Sequence, residues 1–539
     1  MVNPLASNFS CPNVETEKQT SVNLIRLTGQ ELKNSFISVL PAAVWTALAA
    51  QLYLVPDDLF SGLISNFVST FTVDSTDRIS RFNEQVAIQL VSSDANIKAF
   101  FGVCASATSF AKTCFDSFLL AKGPAIFRSA LAADDNSTIW ARVIQAPVVN
   151  DQLMALAQIV FNDPRFIYRL ELGEGSPDSN GLLMLTSYEI ANRISFGMTS
   201  SPPDAMLWAD AIANKLQSMT VVNSHVDRIS KTLAYKNRVI DFVKFYVGLQ
   251  SSGVAPDVPE FMNGIDGTNL GLAVTDEFNE FINYVVITQK GTLNDLFTSQ
   301  AAFPKTSALA SIMGTGIWTS GTPMIASNHA GLLTKPYMNL VGNPNLKLVQ
   351  RGKRIRINML CTDIPQPSAT DLAARPVLPD TDLVNLNRRD YINKATNVLP
   401  GVTTGSCYAC HSKMNQLGFA TENYDSIGRF SLSERIYNTS NVKVSTHAAL
   451  SSSTPLFVES DPRTFANMTE FQSGLVNTGI MQTCLTRKAY QFFQQKPEDV
   501  VIDSCRLNKM DTKVKLNLPL FDFLTENFKQ QSMLYKRSN

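Results

Sequence analysis

Residues 405–430 read GSCYACHSKMNQLGFATENYDSIGRF, and Cys407-Tyr408-Ala409-Cys410-His411 within them is the C-x-x-C-H pattern to which haem c is attached. Residues three and four apart share one face of a helical turn. Two thiols can therefore bond the haem while the imidazole of His411 binds the iron as proximal ligand. The stretch predicts one covalent haem c, anchored by Cys407 and Cys410.

Two other kinds of site use paired cysteines. A structural zinc site needs four closed ligands, and no second Cys/His pair lies close in the sequence. A redox C-x-x-C is expected near a βαβ pattern, and none is evident. Chance occurrence of three fixed residues is the third alternative, so the motif has to be weighed with the rest of the chain.

The second axial ligand of the iron is not determined by the motif. In an electron-transfer haem it is a Met or His, and the candidates are Met414, Met468, Met481, His329 and His447. Met414 lies three residues past His411, on the same helical face, and would have difficulty reaching the far side of the ring. An open sixth position is the remaining alternative.

Residues just after the motif are expected to surround the haem. Gly418 allows close approach of the chain, and Phe419 and Tyr424 would shield the porphyrin from water. Arg429 would pair with a haem propionate or, equally, with Asp425.

Composition and charge narrow the class of protein. The 539 residues suffice for several domains, and 46 Lys plus Arg balance 46 Asp plus Glu, so no overall field favours nucleic acid. The densest charge is RGKRIR at 351–356. This run is either a solvated face or a surface that binds propionates or an acidic electron partner.

Two stretches near the amino terminus bear on whether the protein is exported. The start, MVNPLASNFSC, lacks a basic stretch followed by an apolar run, so we expect a signal peptide to have been removed. Residues 36–54 are apolar for about the length of a bilayer span. Pro41, Ser38, Thr46 and Gln51 interrupt them, which favours a buried core helix over a transmembrane span.

Helix signals dominate, so the fold class predicted is mainly α, multi-domain, with few short strands. Capping boxes begin helices at 28–31 and 186–189, and Asp163-Pro164 ends another. Four apolar residues share one helical face, namely Phe278, Phe281, Ile282 and Val285. Short strands are expected at 442–445 and, less distinctly from helix, at 354–359.

The cysteines and the composition suggest four segments. They are an N-terminal helical module 1–145 with Cys104/Cys114, a central helical domain 146–325, a haem c-binding domain 326–435 and a C-terminal helical module 436–539 with Cys484/Cys505.

Spacing suggests that each of the pairs Cys104/Cys114 and Cys484/Cys505 is a disulfide, which leaves Cys11 and Cys361 as a third. Free buried thiols are the alternative. Thioether haem would itself imply an oxidising, extracytoplasmic compartment.

The chain resembles the planctomycete-type cytochrome c family, large exported bacterial monohaem proteins built from several linked domains of unknown function. The closest stretch is 407–430, similar to the family's C-x-x-C-H, D-P-x-G-F, E-N-F-D and G-R pattern. Further similar stretches are LTGQELKNSFISVL (27–40), DPRFIYRLELG (163–173), residues 185–211, HAGLLTKPYMNL (329–340) and RGKRIRINMLCTDIPQP (351–367). Asn415-Gln416 replaces the usual Asp-Pro, and His329 the usual Arg.

The resemblance implies a periplasmic or cell-surface c-type cytochrome that transfers electrons to a redox protein partner or a neighbouring envelope subunit, with assembly into a larger complex as an option. Neither nucleic acid binding nor a transmembrane span is expected. Two alternatives stay open: a haem oxidase, peroxidase or oxygenase acting on an exported substrate, or a haem-stapled structural subunit. Whether the chain is an enzyme is thus left undecided.

Overall fold

A computed structural model describes residues 9, 11, 24–56, 72–249, 252–373, 376, 378–457 and 462–537. Two compact units are present. The motif unit contains Val239–Lys488 and Met510–Leu524, and the companion unit contains Phe9–Arg238, Ala489–Lys509 and Thr525–Asn539. The four consecutive segments suggested by the sequence stay a prediction.

Helices make up most of the described chain. The first twelve are α1 Gly29–Val39, α2 Ala42–Ala47, α3 Val73–Leu90, α4 Asp94–Phe101, α5 Lys112–Phe127, α6 Asp135–Val143, α7 Val149–Phe161, α8 Pro164–Ile167, α9 Ser187–Thr199, α10 Ala205–Ile212, α11 Met219–Ile229 and α12 Leu233–Tyr246. The others are α13 Pro259–Met262, α14 Leu270–Ile282, α15 Leu293–Thr298, α16 Ser307–Met313, α17 Pro336–Asn339, α18 Leu348–Arg354, α19 Ala369–Ala373, α20 Asp380–Asn385, α21 Arg388–Ala395, α22 Ser406–Phe419, α23 Met468–Val476, α24 Ile480–Gln494, α25 Ser504–Lys515 and α26 Leu520–Glu526.

The strands are short and pair two by two. They are β1 Leu24–Arg26, β2 Tyr168–Leu170, β3 Leu182–Met184, β4 Ala301–Ala302, β5 Met324–Ile325, β6 Ser433–Tyr437, β7 Lys443–Ala448 and β8 Tyr535–Arg537. The antiparallel pairs are β1–β2, β3–β8, β4–β5 and β6–β7. The mainly α fold class is confirmed, and β7 covers most of the strand expected at 442–445.

Local sequence signals account for several helix ends. Both capping boxes are present: the hydroxyls of Thr28 and Thr186 accept from the backbone N–H three residues on, and Glu31 and Glu189 accept in return. Helix α7 ends at Phe161, just before Asp163-Pro164. The predicted apolar face of α14 is buried, and its last member, Val285, lies in the π-helical extension Asn283–Thr288.

Two expectations about local structure need correction. Residues 354–359 are not a strand, because α18 continues as the π-helix Ile355–Met359 and buries Ile355 and Met359 on one side. The apolar stretch 36–54 is not one core helix but α1, α2 and the 3₁₀ helix Ala49–Leu54, since Pro41 separates the first two. Among the residues that the structure describes, we find no helix that could cross a membrane.

Two of the three disulfides differ from those suggested by spacing. Cys104–Cys114 is confirmed. The other two are Cys361–Cys484 and Cys11–Cys505, so both remaining pairings were wrong. Cys484 on α24 belongs to the motif unit and Cys505 on α25 to the companion unit.

The companion unit uses residues of the 163–173 stretch for internal ion pairs. Buried Glu171 lies 2.5 Å from the Arg193 guanidinium and 3.4 Å from that of Arg169. Burial alone would raise the pKa of Glu171, but the two positive charges lower it to about 2. Glu171 therefore links Arg169 of β2 to Arg193 of α9 through two ion pairs.

Candidate functional site

Helix α22 presents the cysteine motif at its beginning. Gly405 precedes the helix with φ 110°, a left-handed value that favours glycine, and its carbonyl accepts the first helical hydrogen bond, from Ala409. Cys407, Cys410 and His411 follow within two turns and are half-buried. The motif thus lies at an accessible helix start, while the rest of α22 packs into the unit.

The state of the cysteines fits covalent haem. All eight cysteines lie in the described part of the chain, and six of them form the three disulfides. The two thiols left unpaired are Cys407 and Cys410. Because the two cysteines stand three residues apart on a helix, their thiols lie on the same side and can reach the two vinyl groups of one haem.

The histidine of the motif has a defined hydrogen-bond partner. His411 Nδ1 lies 3.1 Å from Oδ1 of Asn415, one turn further along α22. An amide oxygen only accepts, so Nδ1 carries the proton and Nε2 is the nitrogen that would bind iron. Sequence reasoning missed Asn415 as a partner, although the i, i+4 spacing from His411 was visible.

Two glycines allow α18 and α22 to cross closely. A Cβ on Gly418 would lie 2.0 Å from the Leu348 carbonyl oxygen, and one on Gly352 would lie 2.1 Å from the Met414 carbonyl oxygen. Both contacts are with backbone, which cannot rotate away. Gly418 therefore has a packing role against α18, and its place beside the haem stays a prediction.

The basic run at 351–356 is largely buried. Arg351, 5% exposed, donates to the carbonyls of Thr421, Tyr424, Asp425 and Asn339. Arg356, 3% exposed, donates to the carbonyls of Lys413, Leu456 and Phe457. Burial lowers the pKa of Arg351 to about 9. A solvated face does not describe these two side chains, which instead fix α22 and the turn after it.

The polar residues that follow α22 build that turn. Arg389 on α21 pairs with buried Glu422. Asn423 donates to the Ser431 carbonyl at 2.9 Å. The carboxylate of Asp425 accepts from the Arg429 side chain at 2.8 and 2.9 Å, so the ion-pair alternative for Arg429 is the one present. A propionate contact of Arg429 stays a prediction.

The two aromatic residues of the predicted haem surroundings are buried. Phe419 packs with Leu346, Leu348 and Ile392. The Tyr424 hydroxyl donates to the Asn328 carbonyl at 2.6 Å, and its ring meets that of His329 edge-on at 5.7 Å. Their contacts are thus within the protein, and shielding of a haem by either ring stays a prediction.

The candidates for the second axial ligand occupy several elements. Met414 lies on α22 itself, Met468 begins α23 and Met481 lies in α24, and all three are buried. His447 on β7 is half-buried, with Nε2 3.1 Å from the Val384 carbonyl. His329 is 1% exposed and its Nε2 lies 2.8 Å from the Gly428 carbonyl. The choice among these five stays a prediction.

His329 gives an expected pH dependence. Burial, and then the charge of Lys335, lower its pKa from 6.5 to about 4. The unfolded chain therefore binds the proton more readily, and stability falls as pH drops from 6.5 to 4. We expect His329→Gln, which can still donate to the Gly428 carbonyl, to remove roughly 3 kcal/mol of this fall.

The measurement is urea denaturation of both proteins between pH 7 and pH 4. Wild type and His329→Gln should differ in the slope of stability against pH. Equal slopes would contradict a neutral, buried His329.

Clusters of three or more His, Cys, Asp and Glu able to hold a metal ion are lacking among the described residues. Haem needs only the two thiols and one imidazole from the protein, and these are the groups that α22 presents.

Two family models match the chain. Residues 185–314 match PSD4, a protein of unknown function (DUF1592), and residues 329–434 match PSCyt3, a protein of unknown function (DUF1588). Both are domains of planctomycete cytochrome c-type proteins. The two matches agree with the resemblance of the chain to the planctomycete-type cytochrome c family. The PSCyt3 match begins at His329 and includes the whole C-x-x-C-H motif. No curated protein and no solved structure is significantly similar to the chain.

Proposed function

We propose that this chain is an exported c-type cytochrome that carries one haem on Cys407, Cys410 and His411 and transfers electrons in the bacterial cell envelope. The observation that carries the proposal is the state of the eight cysteines. Six are joined in disulfides, and the two left as thiols belong to the C-x-x-C-H motif.

The protein residues supply attachment and rigidity. Cys407 and Cys410 would hold the macrocycle as thioethers, and His411 would bind iron through Nε2. When bound, the haem supplies a one-electron redox centre. Helix α22 is fixed by its close crossing with α18 and by the buried Arg351 and Arg356 side chains. A rigid helix would hold the His411 imidazole in one position in both redox states of the haem, which would suit electron transfer.

The compartment is inferred from the covalent chemistry. The three disulfides are typical of an oxidising setting outside the cytoplasm. We therefore place the protein in the periplasm or on the cell surface, where a redox protein or a neighbouring envelope subunit would exchange electrons with it.

The visible spectrum of the protein, produced with haem-maturation machinery and export, tests this function. A sharp low-spin reduced α-band and reversible oxidation would support electron transfer. A five-coordinate, high-spin spectrum would instead favour a haem enzyme. A protein without haem absorbance would contradict the proposal altogether.

A further inference from the structure

Asn415 connects the proximal histidine to helix α21. Its side chain is 1% exposed. Oδ1 lies 3.1 Å from His411 Nδ1, while Nδ2 donates to Asn393 Oδ1 and to Thr396 Oγ1, both at 3.1 Å. All four residues belong to the motif unit.

The hydroxyl of Thr396 determines which end of the amide faces the histidine. It donates its single hydrogen to the Ile392 carbonyl at 2.6 Å, so it can only accept from Asn415. The amide nitrogen must therefore face Thr396, and the amide oxygen must face His411. Because that oxygen cannot donate, the proton of a neutral His411 ring lies on Nδ1 and the lone pair on Nε2.

The charge of the partner also matters. A carboxylate bonded to Nδ1–H draws the proton and gives the imidazole anionic character, which stabilises ferric iron and lowers the reduction potential. A neutral amide accepts the same hydrogen bond without adding charge. A side chain with no acceptor would leave the imidazole a weaker donor still.

We propose that Asn415 is a positioning residue for the haem ligand. Its amide, oriented by Thr396 and Asn393, fixes the tautomer and ring orientation of His411, and its neutrality sets an intermediate reduction potential. The potential part of this inference rests on the proposed function, whereas the tautomer part concerns the protein alone.

The potential is tested with two substitutions of similar shape. Asn415→Asp should lower the midpoint potential of the haem, and Asn415→Leu should raise it. Gln416→Glu, which adds the same charge one residue further along α22, is the matched control and should give a much smaller shift. Shifts of the same sign for Asp and Leu, or an equal shift for Gln416→Glu, would overturn the inference, because loss of structure alone predicts one direction.

Thr396 is tested by conservative rescue. Thr396→Val removes the acceptor that orients the amide and should shift the potential in the direction of Asn415→Leu. Thr396→Ser keeps the hydroxyl and should match wild type. A Thr396→Ser protein that behaves like Thr396→Val would contradict a role for the hydroxyl.

The tautomer is tested without haem. The full chain, with its four histidines labelled with ¹⁵N, is produced without haem maturation and studied by NMR, with a His411→Gln variant assigning the signal. We expect Nδ1 of His411 to carry a proton, and to lose this preference in Asn415→Leu. An unprotonated Nδ1 would overturn the inference even if haem binds. Absence of haem attachment, in contrast, would overturn only the proposed function.

Discussion

Gly418→Ala is expected to destabilise the motif unit by about 3 kcal/mol or more, at the upper end of overpacking effects. The new methyl carbon would lie 2.0 Å from the Leu348 carbonyl oxygen and 2.7 Å from its carbon. Both atoms belong to the backbone of α18, so relief requires the two helices to separate. Separation would also disturb the Arg351 and Arg356 hydrogen bonds, which depend on this spacing. The denaturant midpoint measures the effect.

A second glycine of the same unit provides the control. Gly316 is exposed, and a Cβ there would meet only the terminal methyl of Met324, at 3.2 Å. Gly316→Ala should therefore leave the midpoint nearly unchanged. Equal midpoints for Gly418→Ala and Gly316→Ala would show that α18 and α22 do not cross as described.

Replacing Cys407 and Cys410 together by serine is expected to abolish covalent haem. A serine hydroxyl cannot form the thioether, and one axial imidazole does not retain haem through denaturation. Each single variant should keep one thioether and show a shifted α-band. Haem staining after denaturing electrophoresis, with the absorption spectrum, measures both effects.

The control removes two other cysteines. Cys104→Ser with Cys114→Ser deletes a disulfide of the companion unit and leaves the motif intact. This protein should stain for haem like wild type. Haem retained in the Cys407/Cys410 double variant, or lost equally in the control, would rule out the two motif thiols as the specific anchors.

Short-range chemistry was predictable from the sequence. The two capping boxes, the end of α7 before Pro164 and the buried face of α14 each depend on residues within two turns of one another. The motif itself is of this kind, because Cys407, Cys410 and His411 lie within five positions. Such signals need no knowledge of the tertiary structure.

Contacts between distant segments were not predictable in the same way. Cys484 pairs with Cys361, which belongs to the same unit. Cys505 lies only 21 residues further along the chain but belongs to the other unit. Arg351 and Arg356 form part of a charged run, yet both are buried. Each donates to backbone carbonyls of residues that are distant in the sequence, so these contacts could not be predicted from it. Thr396 and Asn415 meet only because α21 packs on α22.

The proposed function depends on a covalent bond between haem and both motif thiols. The most direct measurement is mass spectrometry of the proteolytic peptide that contains residues 407–411, from protein produced with haem maturation. We expect this peptide to carry the mass of one haem, with both cysteines resistant to alkylation. A peptide with two free thiols, or with Cys407 and Cys410 joined to each other, would contradict it.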